Sequence, residues 1–331
     1  MPIPSSRSYL GFAVEATRNT AVAPTMSVPF TALTVHDEIT WIDDVGVRGS
    51  MVDLYGSVAG PTWGLITMSG QVYPDAIQWP LASLLPLIVS SGSGPYVQKY
   101  GVLNTGTGQP SGFTITDYQG ITTTSGARYW AGANCSKLVV KWDGAKDLTY
   151  DADWTSIAST AVPSTAPTKT FGTLLPTPAW IPSATTVPAV SIGGTTYTTA
   201  QLGDLTIERP VTLIHTADGL QAPYSIFSGP VKASGNITFV AEDETQLAFY
   251  LANTQQALSL TWGATENTTS SMNFTFTKCQ YRMADVVRSK DYVELQVTWQ
   301  AVANTTDING GTGYGVGTAS MTTVANLASQ L

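Results

Sequence analysis

Residues 291–303 alternate between apolar and polar side chains. Val293, Leu295, Val297 and Trp299 share one face, and Glu294, Gln296, Thr298 and Gln300 share the other. Period-two alternation predicts a strand with one face buried and one wet. Residues 147–158 repeat the pattern, with Leu148, Tyr150, Ala152 and Trp154 opposed by Thr149, Asp151, Asp153 and Thr155. Thr31–Ile42 alternates as well: Leu33, Val35, Asp37, Ile39 and Trp41 face one way, Thr34, His36, Glu38 and Thr40 the other. A strand over Trp63–Val72 turns Ile66 and Met68 inward, and further strands are expected at Phe113–Tyr118, Arg128–Ala131 and Lys137–Trp142. Val190–Tyr197 reads as a short hairpin.

Two stretches switch to the helical period. In Asp75–Ile88, the residues Ile77, Leu81, Leu84, Leu85 and Ile88 fall at helical spacing. Pro80 is unfavourable in a helix interior, so the helix either kinks there or starts there. Asp243–Gln255 has no proline, and Leu247, Tyr250 and Leu251 form its apolar stripe.

These elements recur in order. Cys135 precedes Trp154 by 19 positions and Cys279 precedes Trp299 by 20. A Lys-Asp pair, Lys146-Asp147 or Lys290-Asp291, follows each cysteine by 11. Upstream, Leu33-Thr-Val35 matches Leu205-Thr-Ile207, Gly60-Pro61 matches Gly229-Pro230, and Leu65-Ile-Thr-Met68 matches Asn236-Ile-Thr-Phe239. The expectation is two copies of one module. The chain divides into an extended arm over 1–30, a first module over 31–159, a Pro/Thr-rich linker over 160–201, a second module over 202–304 and a flexible arm over 305–331.

Composition narrows the function. The chain has 331 residues, 43% hydrophobic and only 11% charged. Ordinary soluble domains carry about 25% charged residues, so much of this surface is expected to lie against other protein. A net charge of −8 argues against gripping nucleic acid through its phosphates. No apolar run approaches the length of a membrane span, and the opening residues do not read as a secretory signal. Two cysteines at matching places in separate modules are expected to stay as free thiols.

Catalytic signatures are sparse. His36 and His215 stand apart from any Cys/His/Glu cluster, and no hydrolase, zinc-protease or Cys-x-x-Cys motif is present. Asp151 and Asp153 share a strand face, as glycosidase carboxylates can, but that spacing is ordinary on wet strand faces. The glycines from Gly310 to Gly317 read as a flexible tail. No enzyme, metal or cofactor is expected.

The opening Gly11-Phe-Ala-Val-Glu15-Ala-Thr17 and Thr20-Ala-Val-Ala-Pro24-Thr resembles the N-terminal arm of tail tube proteins of long-tailed bacteriophages. The order strand, long loop, strand, helix, β-meander is similar too. The resemblance implies a mainly β fold of two tandem β-sandwich/barrel modules, each with a flanking helix, plus extended terminal arms. It implies a structural virion protein with no catalytic residues. Rings, here trimers with pseudo-sixfold symmetry, would stack into a tube in the virion tail after assembly in the host cytoplasm. The expected partners are the chain itself, a tape measure protein and a tail terminator. DNA would transit without specific binding, and no membrane is involved. On that reading Glu38, Asp151, Asp153, Glu208 and Glu294 line an acidic channel. The long loop Asp43–Gly60, with Asp43, Asp44, Arg48, Asp53 and Tyr55, contacts the neighbouring ring, as does its shorter counterpart Thr216–Gly229. The alternative is a β-rich surface or carbohydrate-binding fibre or adhesin.

Overall fold

The structure is a computed structural model describing residues 5–93, 95–119, 126–161, 190–264, 267–288, 291–308 and 312–323. Its first half contains β1 (Tyr9–Val14), β2 (Met26–Val28), β3 (Ala32–Asp44), β4 (Gly56–Gln71), α1 (Pro74–Leu84), β5 (Leu87–Ser91), β6 (Tyr96–Gly101), β7 (Phe113–Tyr118), β8 (Ala127–Asp143), β9 (Lys146–Ser156) and β10 (Thr160–Ala161). The second half contains β11 (Val190–Ile192), β12 (Thr195–Thr196), β13 (Ala200–Glu208), β14 (Val211–Ile214), β15 (Ser225–Ser228), β16 (Lys232–Val240), α2 (Thr245–Leu251), β17 (Gln256–Ala264), β18 (Asn267–Val287), β19 (Glu294–Ala301) and β20 (Thr318–Thr323). The fold is mainly β, as the alternation implies. Most of the expected linker, residues 162–189, lies outside the described residues, as do Lys290, Gly310 and Gly311.

Alternation places β9 and β19 correctly. Leu148, Tyr150, Ala152 and Trp154 are buried along β9, and Leu295, Val297 and Trp299 along β19. Each strand sits inside a run of four. β3 pairs with β4, β4 with β9 and β9 with β8, all antiparallel. In the second half β13 pairs with β16, β16 with β19 and β19 with β18. The runs join where β8 pairs antiparallel with β13, Val140 opposite Leu205. Eight strands therefore form one continuous ladder with β3 at one end and β18 at the other.

A second layer covers the apolar face. β1 pairs with β7, and β7 with the first part of β8. The later part of β8 belongs to the eight-stranded run, so this one strand serves both layers. Gly132, with φ of 62°, and a bulge between Cys135 and Lys137 mark the change. For this reason the two strands expected at Arg128–Ala131 and Lys137–Trp142 are one. Between the layers Phe12 lies 5.5 Å from both Trp79 and Trp154, ring centre to ring centre.

Several expectations need correction. The segment 1–30 is not a free arm: Leu10, Phe12, Met26 and Val28 are core residues. Short strands separated by a loop carry no sustained period, which hides them in the sequence. Nor is the glycine-rich C-terminal segment simply a tail. β20 threads between β6 and β18, burying Ala319 and Met321. Gly317, at φ 128°, lies so close to Phe276 that any side chain would collide with the ring.

The helices also differ in detail. α1 runs through Pro80 and carries Pro74 in its first turn, while Ile88 leaves it for β5. α2 has only seven residues and turns Gln246 inward, where it accepts the Tyr281 hydroxyl at 2.5 Å. Leu251, expected on the buried stripe, is 74% exposed. Gln78 of α1 likewise accepts a buried hydroxyl, from Tyr100 at 2.6 Å.

The cysteines are both buried and free, but they are not equivalent positions. Cys135 faces Trp154 across its ladder, whereas Tyr281 faces Trp299 and Cys279 faces Ala301. The sequence match is displaced by two residues from the ladder register.

Phe12→Ala opens a cavity between two indoles and should cost about 3–5 kcal/mol. Leu251→Ala, at an exposed site, should stay within about 0.5 kcal/mol. Urea unfolding of the two variants checks whether the N-terminal segment belongs to the core.

Candidate functional site

One face of the eight-stranded run packs on the core and the other is wet. On the wet face of β9, Asp151 receives Lys141 Nζ at 2.6 Å and Asp153 accepts the Thr67 hydroxyl at 3.0 Å. Glu208 of β13 lies 3.7 Å from Lys137 and 3.8 Å from Lys232. Glu38 of β3 lies 3.3 Å from His36 Nε2. These four carboxylates share the wet face. Glu294 does not present itself in the same way: it is only 3% exposed, held at the start of β19 between Val240 and Val287.

The same geometry adds residues that the sequence reading missed. Asp204 of β13 faces Lys141 across the strand junction, and Asp285 of β18 faces Gln296. Lys137, Lys141 and Lys232 stand among the acids and pair with them. Period two was the available signal, because Lys137 and Lys141 alternate with buried Leu138, Val140 and Trp142. The face is therefore mixed in sign, with lysines paired to Asp151 and Glu208.

Beyond this face β3 and β4 continue as a hairpin. The ladder runs out to Asp44 opposite Gly56, so the expected loop Asp43–Gly60 is a stem with residues 45–55 at its tip. Tyr55 N–H donates to the Asp44 carbonyl at 2.9 Å, and Ser57 donates to Asp43 at 2.6 Å. Asp44 also pairs with Arg48, whose guanidinium stands 4.8 Å over the Tyr55 ring. Four of the five expected loop residues are thus tied into the hairpin end, and Asp53 is exposed on the tip. Around them are apolar side chains in water. Trp41 is 58% exposed, Val47 98% and Met51 105%. Several large apolar side chains exposed on one hairpin are a feature of surfaces that meet other molecules.

The second hairpin, β14–β15, does not project in the same way. Gln221 at its tip accepts from Thr62 N–H at 2.9 Å and donates to the Ala59 carbonyl at 2.8 Å. Arg18 donates to the Ile226 carbonyl at 3.0 Å. This hairpin is braced against the first half of its own chain, and Leu220 and Tyr224 remain exposed on it.

Among the described residues no three of His, Cys, Asp and Glu gather to hold a metal. Burial pushes the Cys135 and Cys279 thiols far above their usual range, which removes the reactive thiolate. Among those residues no helix is long and apolar enough to cross a membrane.

What the geometry offers is assembly surface: a wet sheet face, two strand edges and an apolar hairpin. A family described as phage tail tube protein matches residues 5–301. The chain belongs to the phage tail tube protein family. It is a structural component of the bacteriophage tail, and its family assembles into a tube. No match was found among curated proteins. Family membership favours a structural role over catalysis and over the fibre or adhesin alternative.

Within this tail tube subunit Arg209 holds the halves together. It is buried after β13 and donates to the carbonyls of Gly229 at 2.9 Å, Gly108 at 2.6 Å and Leu84 at 3.3 Å. Desolvation lowers its pKa, with Arg18 nearby adding to the effect. Charged hydrogen bonds are worth about 1.5–3 kcal/mol each. Arg209→Met should lose on the order of 3 kcal/mol, whereas Arg48→Met on the exposed hairpin should change stability by less than about 1 kcal/mol. Thermal melts of the two variants measure the difference.

Proposed function

We propose that each chain carries two copies of one tube module, and that three chains close a ring with pseudo-sixfold symmetry. Rings then stack into the conduit through which DNA passes. The observation that carries this is the continuous ladder from β3 to β18, four strands from each half joined antiparallel at β8 and β13. The order of elements supports it. Hairpin β1–β2 pairs with β7, and hairpin β11–β12 with β17. A long hairpin, a helix and a three-strand meander follow in each half, with the additional hairpin β5–β6 between helix and meander in the first. The closing strands β10 and β20 return to β8 and β18. On this reading the module boundaries 31–159 and 202–304 extend outward to include β1–β2 and β11–β12.

The wet face lines the channel. Three chains would contribute twenty-four strands, enough to leave a water-filled bore. Compensated charge suits a wall that DNA must slide past. A basic wall would bind phosphate, which DNA presents at one charge per ~1.7 Å of axis. Lys141 and Lys232 are held by carboxylates that offset that attraction. Asp151→Lys combined with Asp153→Lys should leave rings intact and slow DNA release from complete virions. Unchanged release kinetics in virions containing the mutant tube would contradict the channel assignment.

The apolar tip of the β3–β4 hairpin meets the adjoining ring, while terminal rings meet a tape measure protein and a tail terminator. Assembly takes place in the host cytoplasm. Electron microscopy of purified protein tests the reading: stacked rings support it, and dispersed monomers at high concentration oppose it. Val47→Glu with Met51→Glu should give folded, soluble rings that fail to stack. Tubes of normal length from that double variant would remove the hairpin from the stacking contact.

A further inference from the structure

Beside α2 the second half holds a cavity of about 470 Å³. The segment after β12, the end of β16, α2 and Leu295 of β19 enclose it. Phe239, Leu295 and the half-buried rings of Tyr197 and Phe249 supply apolar walls. Tyr197 stands edge-on to Phe239, 6.0 Å between ring centres. The mouth is polar: Glu242 and Asp243 are exposed there, beside Thr196 and Thr198. Gln246 lines the inner side and is only 3% exposed. Its Oε1 accepts the Tyr281 hydroxyl, whereas its buried Nε2 has no hydrogen-bond partner among the described residues. A buried donor left unpaired is costly, so this amide is a place where a ligand's acceptor gains most.

The first half fills the matching place with its own side chains. Gln78 and Gln246 mark the correspondence, since each turns inward and accepts a tyrosine hydroxyl. Ile77 then matches Thr245, and Leu81 matches Phe249. Ile77 and Leu81 are fully buried, but Thr245 and Phe249 remain partly exposed. On the paired strands Gly70 faces Tyr150 in the first half, and Phe239 faces Leu295 in the second. The Tyr150 ring, 1% exposed, takes up space that the smaller Leu295 leaves free. The second half therefore keeps open, and lines with polar groups, a volume that the first half packs.

On the module correspondence proposed above, we propose that this cavity binds a saccharide, as a mono- or disaccharide unit. Its volume lies within the roughly 300–1,000 Å³ of small-ligand sites. No lysine, arginine or histidine is among its described lining residues, which disfavours phosphates and other anions. An apolar ligand would strip water from Glu242 and leave Gln246 Nε2 unpaired. A simple alkylammonium ion would satisfy the carboxylates but offers no acceptor to that amide. A sugar meets every group at once, because each hydroxyl both donates and accepts. Its hydroxyls donate to Glu242 and Asp243, an oxygen accepts from Gln246 Nε2, and its C–H face lies against Tyr197 or Phe249. Asp243 keeps its bond from Thr245 N–H at 2.8 Å, so its second oxygen meets the ligand.

Saturation-transfer NMR on the purified chain tests this, with glucose, maltose and N-acetylglucosamine as probes and putrescine as the cationic control. At least one sugar should receive saturation, and putrescine should not. Thr245→Ile gives the second half the branched side chain that Ile77 gives the first. It should fill the cavity and abolish the signal, with a melting temperature unchanged or higher. Glu242→Gln, at an exposed position, should keep the fold and weaken binding by about tenfold through loss of a charge-assisted hydrogen bond. No transfer to any of the sugars, transfer to putrescine alone, or an undiminished sugar signal in either variant overturns the proposal. Those outcomes leave the tail tube reading intact, since ring formation tests it separately.

Discussion

Backbone N–H and C=O groups at the edge of a sheet stay paired with water unless another strand takes them. In this chain the two halves solve that problem for each other once, through β8 and β13, and among the described residues leave it open at β3 and at the end of β18. Much else follows from this one constraint. Strand register decides which side chains face the core, and the alternation on β9, β8, β13 and β19 keeps the opposite face wet. The covering layer, β1, β7 and α1 in the first half and β11, β17 and α2 in the second, buries the apolar face. The low charge content agrees with the proposed burial of the open edges and the apolar hairpin tip against other copies.

The wet face illustrates how compensation outweighs net charge. The chain carries −8 overall, yet the lysines that enter the ladder stand beside carboxylates. Exposed pairs of this kind add little stability. Their effect is on the potential over the sheet, which they flatten on the scale of a Debye length, about 8 Å at physiological ionic strength.

Strong periodicity was legible in the sequence; long-range pairing was not. Trp154 and Trp299 announced β9 and β19, and Ile66 with Met68 announced β4, because each strand buries one face over many residues. Leu10, Phe12, Met26 and Met321 gave no such signal, since their strands are short and their partners distant in the chain. Glu294 looked wet from alternation alone but lies at a strand start between two valines. The Cys135 and Cys279 match misled by two residues, as spacing along a chain does not register bulges. Of the candidate surface, the carboxylates Asp151, Asp153 and Glu208 were readable, and Lys137 and Lys141 alternate just as clearly with buried Leu138, Val140 and Trp142, but their pairing with acids on other strands depends on the ladder register.

The decisive measurement is a residue-resolution electron-microscopy reconstruction of the assembled tube. It should show three chains per ring and one inner barrel that passes unbroken from chain to chain. A ring of six chains, or chains whose β3 and β18 edges face solvent in the finished tube, would rule that architecture out.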